Sequence, residues 1–109
     1  MFQVVKTRTF THDVKVLMPS DVGHTEETLR TKFVYLDSDA ISAFDLKTTD
    51  GTSRFLDAVV VRFFDLTDDD GQAIECTNDL RTQLLRSPNI RLALSAHYFN
   101  VVTKAPEGN

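Results

Sequence analysis

Hydrophobic and polar positions alternate along FTHDVKVLM (10–18). Phe10, His12, Val14, Val16 and Met18 fall on one side, and Thr11, Asp13, Lys15 and Leu17 on the other. A period of two marks a β-strand, here with one imperfect face. PSDVGH (19–24) is rich in turn formers. TEETLRTKFVYL (25–36) alternates again, and the side holding Leu29, Thr31, Phe33 and Tyr35 grows more apolar toward its end. Two long strands joined by a short loop predict an antiparallel hairpin. Alone it would be marginal, so its apolar face needs a second layer.

After Leu36 the pattern changes. Asp37 or Ser38 caps a predicted short helix holding Ala40, Ile41, Ala43 and Phe44, and KTTDG (47–51) reads as a break. In TSRFLDAVVVRFFDL (52–66), Phe55, Val59 and Phe63 are spaced by four, as are Leu56, Val60 and Phe64. That spacing and the length of the run predict a helix. The three valines and the aromatic pair prefer a strand, so residues 55–65 carry two conflicting signals. LTDDDGQAIECT (66–77) reads as a tight acidic turn between two short extended pieces. Thr77 or Asn78 then caps a helix over 79–86, and Ser87-Pro88 starts another over 88–103. One stripe of that last helix holds Ile90, Ala93, Leu94, His97 and Val101; a second holds Leu92, Ala96, Phe99 and Val102 or Thr103. The tail APEGN (105–109) reads as frayed. The expected architecture is α+β: an N-terminal antiparallel β-hairpin or small sheet packed with three to four α-helices. It is expected as a single domain over 1–109, with a hairpin part (1–37), a mainly helical part (38–104) and the tail.

At 109 residues a folded chain buries roughly two-thirds of its extended surface, enough for one modest core. Apolar residues are 41% and charged residues 26%, as in ordinary soluble domains. Residues 1–54 hold 7 basic and 8 acidic side chains and residues 55–109 hold 5 and 8, for a formal charge of -4. Neither half has the basic excess that phosphate neutralisation requires, which argues against nucleic acid and against acidic membranes as partners. Cys76 is the sole cysteine, so no internal disulfide forms, in keeping with a reducing compartment. MFQVVKTRTF has no apolar run of signal-peptide length, and the densest apolar run, Ala58 to Phe64, is interrupted by Arg62. These features predict a soluble cytoplasmic protein.

Chemical motifs are sparse. Setting Gly71 at the sixth position of a calcium loop puts Leu66 at the first and Thr77 at the twelfth, and neither supplies the required ligand. His12, His24 and His97 have no partner at ligand spacing, and neither HExxH nor CxxC occurs. There is no GxSxG, the four glycines stand singly, and Cys76 near a helix start is the one weak nucleophile candidate. The expectation is a chain with no catalytic residue, metal or cofactor. The last helix says more. Its apolar side chains occupy more than one stripe, whereas a surface helix of a small monomer shows one polar face. Either the helix is central and wrapped by the rest, or its second stripe meets another chain. On the latter reading Leu94, His97, Tyr98, Phe99 and Val102 are the candidate partner-binding residues, aromatic side chains being enriched at interfaces.

The order of these segments resembles the small tail assembly chaperones of long-tailed bacteriophages. The likeness runs from Phe10-Thr11 before the strand Val14-Lys15-Val16 and Pro19, through a second strand ending near Phe33 and the stretch LDAVVVRFFDLTDDDGQAIECTNDLRTQLL. It closes on the proline-started helix Pro88 to Phe99 and on Asn109. Each piece is weakly specific; order and spacing carry the likeness over nearly the whole chain. Phe63-Phe64 departs from the Gly-Trp that relatives often show. The resemblance implies a non-enzymatic protein of the host cytoplasm, absent from the mature virion. Its implied partners are the tape-measure protein and the major tail protein, with self-association into a homo-oligomer. A structural virion component, such as a tail-completion or neck protein, is the alternative.

Overall fold

Two twelve-residue strands, β1 (Thr9–Ser20) and β2 (Gly23–Val34), open the fold. The computed structural model describes residues 1–103. The strands pair antiparallel in unbroken register from Ser20 opposite Gly23 to Thr9 opposite Val34. Gly23 has φ 122°, a backbone region that a side chain at this position would make costly. Alternation works as the pattern predicts: Val14, Val16, Leu29 and Phe33 are buried on one face. Asp13–Arg30 (3.0 Å) and Lys15–Glu26 (3.3 Å) pair in solvent on the other.

Helix α1 (Ser38–Ser42) starts on Asp37, whose carboxylate accepts the Ala40 N–H. Helix α2 (Thr49–Val59) follows, capped by the Thr48 hydroxyl on the Gly51 N–H. The expected break at 47–51 therefore ends at Thr48, and Thr49 to Gly51 form the first turn of α2. The helix predicted over 52–66 is also corrected. It stops at Val59, and Val60–Phe64 form strand β3, antiparallel to β2 at the sheet edge in the order β1-β2-β3. A β-bulge explains the misleading spacing. Phe33 faces Val60 and Lys32 faces Arg62, so Val61 is an extra residue without a partner. The bulge shifts the phase of the strand, and Val60 and Phe63, three apart, both point into the core. With Phe55, Leu56 and Val59 buried on α2, these two residues carry the four-residue spacing on past the end of the helix.

Asp65, at φ 57°, turns the chain out of β3 into the two-residue strand β4 (Leu66–Thr67), which pairs with β5 (Ala73–Ile74). The acidic turn between them is organised by one carboxylate: Asp68 Oδ1 accepts the N–H groups of Asp70 and Gln72, each at 2.9 Å. This local turn chemistry accounts for the aspartates. Helix α3 (Asn78–Leu84) is capped by Thr77, and α4 (Pro88–Val102) by Ser87 with proline in its first turn. The expected tail 105–109 lies outside the described residues.

The helices lie on one face of the sheet, α4 against β1 and α2 against β2 and β3. Phe33, Phe55, Leu56, Phe63, Leu94 and Tyr98 are wholly enclosed between the layers. Arg81 of α3 fastens the point where helix becomes strand: its guanidinium donates to the carbonyls of Asp57 and Val60. The α+β class and the hairpin-plus-helices arrangement hold, with β3 as the short third strand. No helix among the described residues is long and apolar enough to cross a membrane.

Candidate functional site

Helix α4 carries the five candidate partner-binding residues, and its surroundings divide them. Ile90, Leu94 and Tyr98 recur every four residues and form the buried stripe. Leu94 and Tyr98 have no exposed area, so in this fold they offer a partner nothing to touch. His97, Phe99 and Val102 are half-buried at the margins of that stripe. The centre of the over-apolar helix is enclosed by the rest of the fold, and its flanks reach solvent.

Tyr98 is placed by its polar end as well as its ring. Its hydroxyl donates to Val34 O (2.9 Å) and accepts the Leu36 N–H (2.9 Å), tying α4 to the end of β2. Burial raises the phenol above its ordinary value of 10.0, against the Leu36 N–H bond, which favours the phenolate. The ring packs between Phe33 and Phe55, with centroids at 5.7 and 5.4 Å. Tyr98→Phe keeps the packing but strips a partner from two main-chain groups. It should cost about 1–2 kcal/mol in urea unfolding.

On one flank of α4, His97 meets His12 of β1. Nε2 of His97 and Nδ1 of His12 are 3.0 Å apart, so one ring donates and the other accepts. Phe33 stacks on His97 at 6.0 Å, and Phe10 approaches His12 edge-on at 5.1 Å. The sequence reading gives these histidines no common site. They stand 85 residues apart, and only the packing of α4 on β1 joins them. No third His, Cys, Asp or Glu completes a metal site among the described residues. Burial, then the neighbouring His12, holds the His97 imidazole below its ordinary 6.5. A lowered histidine value means the unfolded chain takes up the proton first. The contribution of His97 is thus present above pH 6.5 and is lost as pH falls from there through its folded value. Urea midpoints should hold steady above neutrality and drop on acidification below pH 6.5, and His97→Gln should flatten that drop.

Beside this pair runs an open groove of about 530 Å³, bounded by Asp13, Val14 and Lys15 of β1 and by Ala93, Ala96, His97 and Asn100 of α4. On the opposite flank Leu92 stands 74% exposed. It rims a hollow of about 230 Å³ shared with Leu46, Thr52, Arg91, Ser95 and Phe99. Phe99 stacks on Phe55 at 5.1 Å and so belongs to both core and rim. Val102 packs against the core margin. Exposed apolar side chains also gather at the N-terminus, where Phe2 and Val4 are 84% and 88% exposed. The sequence reading does not single out this segment. Its signal is the Phe2, Val4, Val5 cluster ahead of β1, with no layer left to cover it.

No protein-family model, no curated protein and no solved structure matches the chain. Cys76 is half-buried against the margin of the core, and its thiol donates to the Thr77 carbonyl at 3.8 Å.

Proposed function

We propose that this chain is a tail assembly chaperone of a long-tailed bacteriophage. It acts without catalysis by lending apolar surface to the tape-measure protein and helping recruit the major tail protein. The order of segments along nearly the whole chain carries the reading. The physical support is a fold whose α4 flanks keep apolar side chains in water, Leu92 at 74% exposure among them, on a chain of net charge -4. A transient chaperone needs both: exposed apolar surface for its client and charge for its own solubility. The proposed surface on α4 is its two flanks, His97 on one and Leu92 with Phe99 on the other, together with Val102. The proposed place of work is the host cytoplasm.

Co-expression with the tape-measure protein encoded nearby tests the reading. The chain should co-purify with that protein and keep it soluble, and Leu92→Glu should weaken capture while leaving the fold intact. A tape-measure protein that stays insoluble and unbound removes the proposal. A structural virion component is the second reading, since exposed apolar side chains such as Leu92 would serve a permanent neighbour as well as a transient client. Mass spectrometry of purified particles separates the two: a chaperone is missing from them, a tail-completion or neck protein present.

A further inference from the structure

β1 is an edge strand with β2 on one side and no strand on the other among the described residues. Arg8 O accepts the Tyr35 N–H at 2.8 Å, which sets the alternation of the ladder. Even-numbered residues of β1 bond to β2. Thr9, Thr11, Asp13 and Lys15 turn their N–H and C=O groups to the open edge. Farther along, Leu17 O is taken by Asn89 Nδ2 at 2.9 Å, and Pro19 has no N–H, so the open stretch ends there. A row of unpaired main-chain groups is a template for another strand. The groove of about 530 Å³ lies beside that row, and the small side chains of Ala93 and Ala96 leave room in it.

The same chain carries a segment suited to that place. Residues 2–8, FQVVKTR, lead directly into β1 and lie almost wholly in solvent. They bend at Lys6 and Thr7, held by an exposed bond from Arg8 Nη2 to Gln3 O (2.7 Å) and by the Arg8 guanidinium over the Phe2 ring (5.5 Å). Charge favours a meeting of this arm with another copy. Residues 1–8 hold two basic and no acidic side chains, while the rest of the chain holds 10 basic and 16 acidic.

We infer that two copies of this chain exchange N-terminal arms, residues 2–8 of each adding as an antiparallel strand to the open edge of β1 in the other. A two-fold axis at Thr9 satisfies the ladder. It sets Thr7 against the partner's Thr11, Val5 against the partner's Asp13 and Gln3 against the partner's Lys15. Each of these is an outward-facing residue, as hydrogen-bonded pairs require. On the helix side the same register brings Val4 beside the partner's Val14 and Phe2 beside the partner's Val16, under Ala93 and Ala96. Arg8 then meets the partner's Phe10 ring. The contact is isologous and closes at two copies. Main-chain bonds supply its strength and the apolar arm residues its register, as in other strand additions.

Sedimentation of the full chain at micromolar concentrations should give twice the 12.3 kDa of one chain. Phe2→Ser with Val4→Asp changes residues that touch no core, so circular dichroism should stay the same while the dimer weakens by roughly tenfold or more. Hydrogen exchange supplies a second readout: the outward amides of Thr11 and Asp13 should be protected in the concentrated wild type and lose protection in the double variant. A chain monomeric at every concentration overturns the inference, including the case where the arm folds onto its own β1. So does a dimer that keeps its strength and its amide protection without the arm side chains. None of this uses the tail-assembly reading. A monomer would leave the co-expression result standing, and a failed co-expression would leave the dimer standing.

Discussion

Gly51→Ala should destabilise the protein by about 3 kcal/mol or more, although alanine is the better helix former. Gly51 sits buried in the first turn of α2, beneath the loop that follows α1. A Cβ there would lie 1.8 Å from Asp45 O, 2.6 Å from Asp45 C and 2.9 Å from Thr48 Oγ1. The first two are main-chain atoms and cannot rotate aside. The Asp45 carbonyl is further held by the Thr48 N–H (3.2 Å) and the Thr48 hydroxyl (3.0 Å). Room for the methyl comes only from moving the loop, and with it the Thr48 cap and the packing of Phe44 on Phe55. The propensity gain of about 1 kcal/mol is too small to offset this. Thermal unfolding checks it, with an expected fall in Tm of roughly 12 °C or more. A change under about 0.5 kcal/mol would mean that the loop yields freely.

Arg81→Ala should cost about 3 kcal/mol. The side chain is only 15% exposed. Its guanidinium donates from Nε to Val60 O (3.1 Å), from Nη2 to the same oxygen and to Asp57 O (2.8 Å), and from Nη1 to Asp57 Oδ1 (2.9 Å). The carboxylate of Asp57 is 73% exposed, so the ion pair by itself contributes little. The weight lies on the two main-chain carbonyls at the end of α2, which lose their partner when the guanidinium goes. Three contrasts in urea unfolding separate these terms. Asp57→Asn should change stability by less than about 1 kcal/mol. Arg81→Lys should recover little, because one ammonium cannot reproduce the planar fork. An Asp57→Asn loss as large as that of Arg81→Ala would shift the weight back to the ion pair.

The elements were most legible where one physical signal acts alone. The hairpin followed from strict alternation over two strands that each bury one face, and α3 and α4 from Thr77 and from Ser87-Pro88, local caps whose chemistry needs no tertiary context. Residues 55–65 were ambiguous because the bulge at Val61 puts Val60 and Phe63 on the same side. Strand pairing with β2 then overrides the helical spacing beyond Val59. The candidate site was legible only in part. Leu94 and Tyr98, two of the five candidates on α4, belong to the core, Tyr98 because its hydroxyl finds Val34 and Leu36 at the end of β2. Nothing near Tyr98 in the chain announces those partners. The meeting of His12 with His97 and the approach of Asp45 O to Gly51 are likewise products of tertiary packing, invisible to any local pattern.

The enclosure of Tyr98 also has an optical consequence. The chain has no tryptophan and two tyrosines. Tyr35 is 48% exposed, whereas Tyr98 is locked edge-on against Phe55 and Phe99. The tyrosine band of the near-ultraviolet dichroism therefore reports chiefly on a single side chain, at the seam where α4 meets the sheet. Loss of that band ahead of the far-ultraviolet signal would time the undocking of α4 separately from the melting of the hairpin, with no label attached.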